Sequence, residues 1–292
     1  MQVFSRASES ILRADTLTSG CVLPALCDAV DDSVSRFVDA LGVVLRKACG
    51  GSAGTSLMIL GHIISFYNEI DGSALDCIAS VEKLFHETIS TRLAQLEDTS
   101  AGSAVTKSFL AIGRPHLELF VGSSKGLKCM PRARLAVATL LEVTADAGLD
   151  AGVCQVTAEL RVLKGLSVWE SSSFPALFQP LQPITQIGQH LLTLPEYFDT
   201  DNEERSQFWL SGICLKTSKL YLEVLRSLPS PSEPGLKQIT ADTSYLLNIF
   251  DALHATEPAS LLKDLLEAIR GERDCAPSPL VADTIKSWRL HA

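Results

Sequence analysis

Few residues in this chain have both the type and the spacing that chemistry needs. Gly122-Ser123-Ser124-Lys125-Gly126 matches the letters of a nucleophile elbow, with Ser124 in the nucleophile's place. A serine hydrolase also needs a strand before the serine, a helix after it, a carboxylate and a histidine base. Asp146 and His190 supply those residue types in that order. Leu117 to Val121 is a weak strand candidate, however, and no alternation of strand and helix patterns surrounds it. The five residues are therefore read as a loop, and a hydrolase built on Ser124 stands as the enzyme alternative.

Other candidates fail on spacing. Gly50-Gly51-Ser52-Ala53-Gly54-Thr55 lacks the Gly-Lys-Ser/Thr ending that reaches phosphates and Mg²⁺, and reads as a connector between helices. His86 has no second His or Cys a turn away and reads as an ordinary helix histidine. The eight cysteines (21, 27, 49, 77, 129, 154, 214 and 275) form no CxxC pair, and most stand in apolar helical runs, where a free thiol behaves as a small hydrophobe. Arg132 and Arg134, with Lys125 and Lys128 nearby, form a modest basic patch, read as a solvated helix start in preference to a lipid or phosphate site. No catalytic, cofactor-binding or metal-ligating residue is assigned, and no cofactor is expected.

The elements that would position such residues are helical. The 292 residues are 46% hydrophobic and only 6% aromatic, a balance that suits helices packed on helices. A net charge of −9 argues against nucleic acid as a partner, because duplex binding needs a basic field. None of Asn68, Asn202 and Asn248 opens a glycosylation sequon, and the scattered cysteines suit a reducing compartment. The most apolar run, Leu57 to Ile64, is far short of the ~20 residues a membrane span needs, so any membrane association is expected to be peripheral.

Apolar residues recur at three- and four-residue steps along most of the chain. Val30, Val34, Phe37, Val38, Leu41 and Val44 make one stripe. A short helix is expected from Ser56 to Glu69, closed by Asp71-Gly72, with Ser73 capping a second helix that carries Leu75, Ile78, Val81, Phe85, Ile89, Leu93 and Leu96. Gly113 and Pro115 interrupt the next apolar run. From Pro131 helical periodicity returns with an apolar face of Leu135, Ala138, Leu141 and Leu149, Ala145 to Asp150 reads as a kink or short turn, and the pattern continues through Val153, Val156, Leu160 and Leu163. These observations divide the chain into an N-terminal helical region at 1–170, a Ser- and Pro-rich linker at 171–183 and a C-terminal helical bundle at 184–292.

The C-terminal part carries the most specific sequence. Ile184, Ile187, Leu191 and Leu194 share one helical face, stopped by Pro195, and Gly188 leaves room for a neighbouring backbone. Phe208, Trp209, Ile213, Leu220, Tyr221, Val224 and Leu228 form a second pattern, and Leu236, Ile239, Thr243, Leu246, Phe250 and Leu253 a third, at the spacing of a helix packed nearly antiparallel to its neighbours. Trp209 and Tyr221 are read as core, and Asp242 and Tyr245 are read either as polar contacts between helices or as solvent-facing. Two more helices follow, Glu257 to Arg270 and Pro279 to Leu290, with Pro258 in a first turn and Gly271 at a helix end.

Val168-Trp169, then a Pro/Ser-rich linker, then the block from Ile184 to Pro195 resembles the subunit 7 family of the conserved oligomeric Golgi complex. The resemblance resumes at Phe208-Trp209-Leu210-Ser211 and is strongest from Lys237 to Leu253. It covers about the last 125 residues. It implies an all-α, elongated helical bundle or rod of the tethering-complex type, with roughly ten to thirteen helices. It further implies a non-enzymatic subunit that supports intra-Golgi retrograde vesicle tethering and the recycling of Golgi enzymes, peripheral on the cytosolic face of the Golgi membrane. The implied partners are the same-lobe subunits 5, 6 and 8 and, through the assembly, SNAREs and Rab proteins. Family members are longer, and their N-terminal coiled-coil part has no counterpart here, so the chain is expected to be a fragment or a short form. A subunit of an exocyst-type rod, or a generic helical scaffold, would share the helical features and lack the two sequence blocks.

Overall fold

A computed structural model describes residues 2–18, 20, 22–50, 57–97, 129–166, 169, 179–198, 202–271 and 277–290. Among these the regular structure is helical and no strand occurs. The elements are α1 (Gln2–Thr18), α2 (Leu23–Gly50), α3 (Leu57–Glu97), α4 (Pro131–Gly152), α5 (Cys154–Lys164), α6 (Gln182–Thr193), a 3₁₀ turn (Leu194–Tyr197), α7 (Glu203–Arg226), α8 (Glu233–Ala252), α9 (Thr256–Arg270) and α10 (Pro279–Leu290). Two compact units account for them: residues 1–51 with 65–146, and residues 52–64 with 147–292. Residues 171–178, read as part of a linker, and the segment bearing Ser124, read as a loop, lie outside the described residues.

Among the described residues four helices form the core of the first unit. Ile11 of α1, Leu23, Cys27 and Val34 of α2, Ile78, Val81, Phe85 and Ile89 of α3, and Ala133, Val137 and Leu140 of α4 are buried in one cluster. Arg92 of α3 forms a two-pronged ion pair with Asp15 of α1, at 2.7 and 2.8 Å, which ties the first helix down.

Two sequence expectations fail in this unit. The helix break at Asp71-Gly72 is absent: α3 runs unbroken, and Ser73 bonds back to the Glu69 carbonyl in place of capping a new helix. Ile70, Ala74 and Ile78 stand at i, i+4 and i+8, so the buried stripe stays in phase across the glycine. That burial outweighs the ~1 kcal/mol an interior glycine costs. The face assigned to α4 is also corrected. Leu135 is 69% exposed, Ala138 is exposed, and the buried residues are Ala133, Ala136, Val137, Leu140 and Thr144. The cause is polar anchoring of the helix start, described below. Of the α2 stripe, Val30, Val34 and Val38 are buried, while Phe37 and Val44 face outward.

The second unit has its own core, drawn from α5 to α10. Helix α8 packs on α6 and α9, and α7 packs on α5, α9 and α10. The kink or short turn expected at Ala145 to Asp150 falls instead at Val153, where α4 ends and α5 begins. Gly148 stays helical because Trp209 needs the space: a methyl group there would meet the indole ring at 2.5 Å. Gly152, one turn on, meets Ile213 in the same way, so α7 approaches this end of α4 closely.

Candidate functional site

Of the residues singled out in the sequence for hydrolase chemistry, Ser124 lies outside the described residues. Asp146 is exposed on α4. His190 is buried on α6, and its Nε2 donates to the Gly152 carbonyl at 2.8 Å, so this nitrogen serves helix packing. Among the described residues no group of three His, Cys, Asp or Glu side chains is placed to hold a metal ion. Of the cysteines, 27, 49, 77, 129, 154 and 214 are free thiols. The fold brings together two of them that are far apart in sequence: the Cys27 thiol donates to the Cys129 carbonyl at 3.5 Å. The side-chain interaction with Cys129 and burial push Cys27 far above the ordinary thiol range, while the interaction with Cys27 lowers Cys129. Burial alone pushes Cys214 up to about 12.

The arginines of the basic patch stand at the start of α4, where Arg132 is exposed and both are taken up by carboxylates. Arg132 is ion-paired with Asp28, Asp31 and Asp32 of α2, and Arg134 with Glu82 of α3. The same carboxylates reach the start of α4. Asp31, 2% exposed, accepts from the backbone N–H of Ala133 at 2.7 Å and of Arg132 at 3.2 Å. Glu82, 1% exposed, accepts from the backbone N–H of Met130 at 2.9 Å. Negative charge at the positive end of the helix satisfies its orphan donors and sets its rotation. That rotation buries Ala133, Ala136 and Val137 and turns Leu135 outward. Lys125 and Lys128 lie outside the described residues.

In the second unit the sequence blocks at Gln182–Leu194 and Lys237–Leu253 meet as α6 against α8. Ile184, Ile187, Leu191 and Leu194 are fully buried, as are Ile239, Leu246 and Phe250. Gly188 faces the Tyr245 ring, which a methyl group would meet at 2.5 Å, so the glycine sets how closely the two helices approach. Asp242 is the polar centre of the contact and faces away from solvent. Its Oδ1 accepts from the Leu181 backbone N–H at 2.8 Å and from Gln238 Nε2 at 3.0 Å, and Gln238 also donates to the Gln179 carbonyl at 3.0 Å. The segment entering α6 is thus fastened to α8. Burial pushes the Asp242 carboxyl up to about 7, against the two hydrogen bonds that favour its charged form. Close by, Tyr221 and Thr243 share a hydroxyl–hydroxyl hydrogen bond of 3.2 Å, and burial first, then the Asp242 charge, raise the phenol well above its usual range.

Trp169 fastens another connection. Its indole donates to the Leu163 carbonyl at 3.3 Å, and its own carbonyl accepts from Ser232, the residue that caps α8. Trp209 and Tyr221 are fully buried, in agreement with the core reading, while Phe208 is 49% exposed. No described helix is long and apolar enough to cross a membrane.

Fold and polar contacts together define an all-helical protein whose conspicuous sequence blocks pack helices and bring no reactive groups together among the described residues. No protein-family profile matches the chain. Curated relatives do. Conserved oligomeric Golgi complex subunit 7 from Arabidopsis thaliana is 26% identical over 187 residues, covering 52% of this chain and 22% of the relative. The Homo sapiens protein of the same name is 22% identical over 186 residues, covering 51% and 24%, and the Mus musculus protein 21% over 178 residues, covering 48% and 23%. The aligned part thus spans under a quarter of the length of the relatives it matches.

Proposed function

We propose that this chain acts as a non-enzymatic subunit of a Golgi vesicle-tethering complex, through helix faces that bind other subunits. The observation that carries the reading is the alignment over about half of the chain to relatives from a plant and from mammals, all named subunit 7 of the conserved oligomeric Golgi complex. The all-helical architecture supports it. So does the role of Gly188, Asp242 and Tyr245, which lock helices together. On this reading the chain is peripheral on the cytosolic face of the Golgi membrane and supports retrograde vesicle tethering and enzyme recycling. Its partners are subunits 5, 6 and 8 of the same complex, with SNAREs and Rab proteins engaged through the assembly.

Affinity purification of the tagged chain from its own cells, followed by mass spectrometry, tests this. Recovery of the Golgi-complex subunits is the expected result. Recovery of an exocyst-type assembly would keep the fold and move the function. Labelling of Ser124 by a fluorophosphonate probe would revive the hydrolase and defeat the non-enzymatic reading.

A further inference from the structure

The second unit carries a surface groove of about 890 Å³ along one face of α7. Phe208, Gly212 and Leu215, at i, i+4 and i+7, line it from α7, and Phe208 is 49% exposed. Three exposed carboxylates also line it: Glu203 and Glu204 at the start of α7, and Glu257 in the first turn of α9. Among the described residues no lysine or arginine does so. The two walls are held together: Gln207 donates to the His254 carbonyl at 2.9 Å, and His254 takes the left-handed backbone conformation at φ 56°. The groove is therefore built before any partner arrives.

We infer that this groove is a docking site for a basic amphipathic helix of a partner protein. Charge complementarity selects the occupant. A helix with Leu or Phe at three- and four-residue steps would cover Phe208 and Leu215, and flanking Lys or Arg would meet the three glutamates. The face from Glu204 to Leu215 runs for about 16 Å, the length of three helical turns. An acidic segment or an anionic lipid surface would be repelled by the same rim. This inference stands on the groove alone and does not depend on the Golgi assignment.

The test uses the full chain and a fluorescein-labelled peptide of 18 residues, Leu and Lys in amphipathic helical order, with binding read by anisotropy. The joint variant Glu203→Gln, Glu204→Gln, Glu257→Gln is expected to weaken binding at least ~10-fold, and Phe208→Ala about 5-fold. The equally neutralising set Glu142→Gln, Glu267→Gln, Asp283→Asn, at exposed positions elsewhere, is expected to change it less than about 2-fold. Circular dichroism and thermal melts confirm that each variant is folded. Equal losses from both sets would reduce the effect to net charge and overturn the site. Equal binding of a Leu-Glu peptide would overturn the choice of a basic partner. Self-association of the chain that depends on Phe208, seen by sedimentation, would assign the groove to a second copy and overturn it too.

Discussion

The two units use the same device, a buried carboxylate on a backbone N–H, under opposite electrostatic conditions. In the first unit Asp31 and Glu82 meet the positive end of α4 and are each paired with an arginine. In the second, Asp242 fastens the entry of α6 through Leu181, but no cation pairs with it among the described residues. The difference teaches what a buried carboxylate needs. With a cation and a helix end it has partners that offset the cost of its burial. Without them desolvation dominates, and the Asp242 carboxyl rises to about 7.

The largest expected effect comes from breaking the first anchor. Glu82→Ala leaves Arg134 without its partner and the Met130 N–H without an acceptor, and is expected to cost about 3–5 kcal/mol in urea unfolding. A loss under ~1 kcal/mol would mean that the anchor does not set α4. The second anchor is tested by pH. In the window from 3.8 to about 7 the folded state holds a proton on Asp242 that the unfolded state has released. Stability from this group is therefore full below the window, falls as pH rises through it, and is flat above. Asp242→Asn is expected to gain on the order of a few kcal/mol relative to the native chain between pH 5 and pH 8. Parallel pH curves for the two proteins would show that Asp242 does not titrate there.

Smaller effects sharpen the contrast. Gly188→Val drives two methyl groups into the Tyr245 ring and is expected to cost about 1–3 kcal/mol, with partial recovery when Tyr245→Ala is added. Additive losses would mean that the α6–α8 approach is not set by this pair. The smallest effect is on the outward face of α4. Leu135→Lys, at a position 69% exposed, is expected to shift stability by less than about 0.5 kcal/mol. Leu140→Ala, in the buried stripe, should cost about 2–5 kcal/mol.

Periodicity made much of this legible. The stripes Ile184-Ile187-Leu191-Leu194 and Ile239-Leu246-Phe250, and the buried Trp209 and Tyr221, follow from residues three and four apart and need no knowledge of the neighbours. α4 was misread for the opposite reason. Leu135 is more apolar than Ala133, and the helix is turned by Asp31, 102 residues from its partner Ala133, and by Glu82, 48 from its partner Met130. Of the groove the sequence shows only Phe208 in an apolar helical pattern, because its far wall comes from His254 and Glu257.

The sequence by itself determined that the chain is helical and which residues could form apolar stripes, since helix period and hydrophobic burial are local properties of neighbouring side chains. It also set the blocks that resemble the Golgi subunit. Tertiary structure alone decided that α3 runs through Gly72, which face of α4 is buried, that Cys27 meets Cys129, and that Asp242 is sealed from water. Those outcomes depend on which groups distant in the chain meet in a low-dielectric interior, and the energies of desolvation and pairing there exceed the preferences of any one segment.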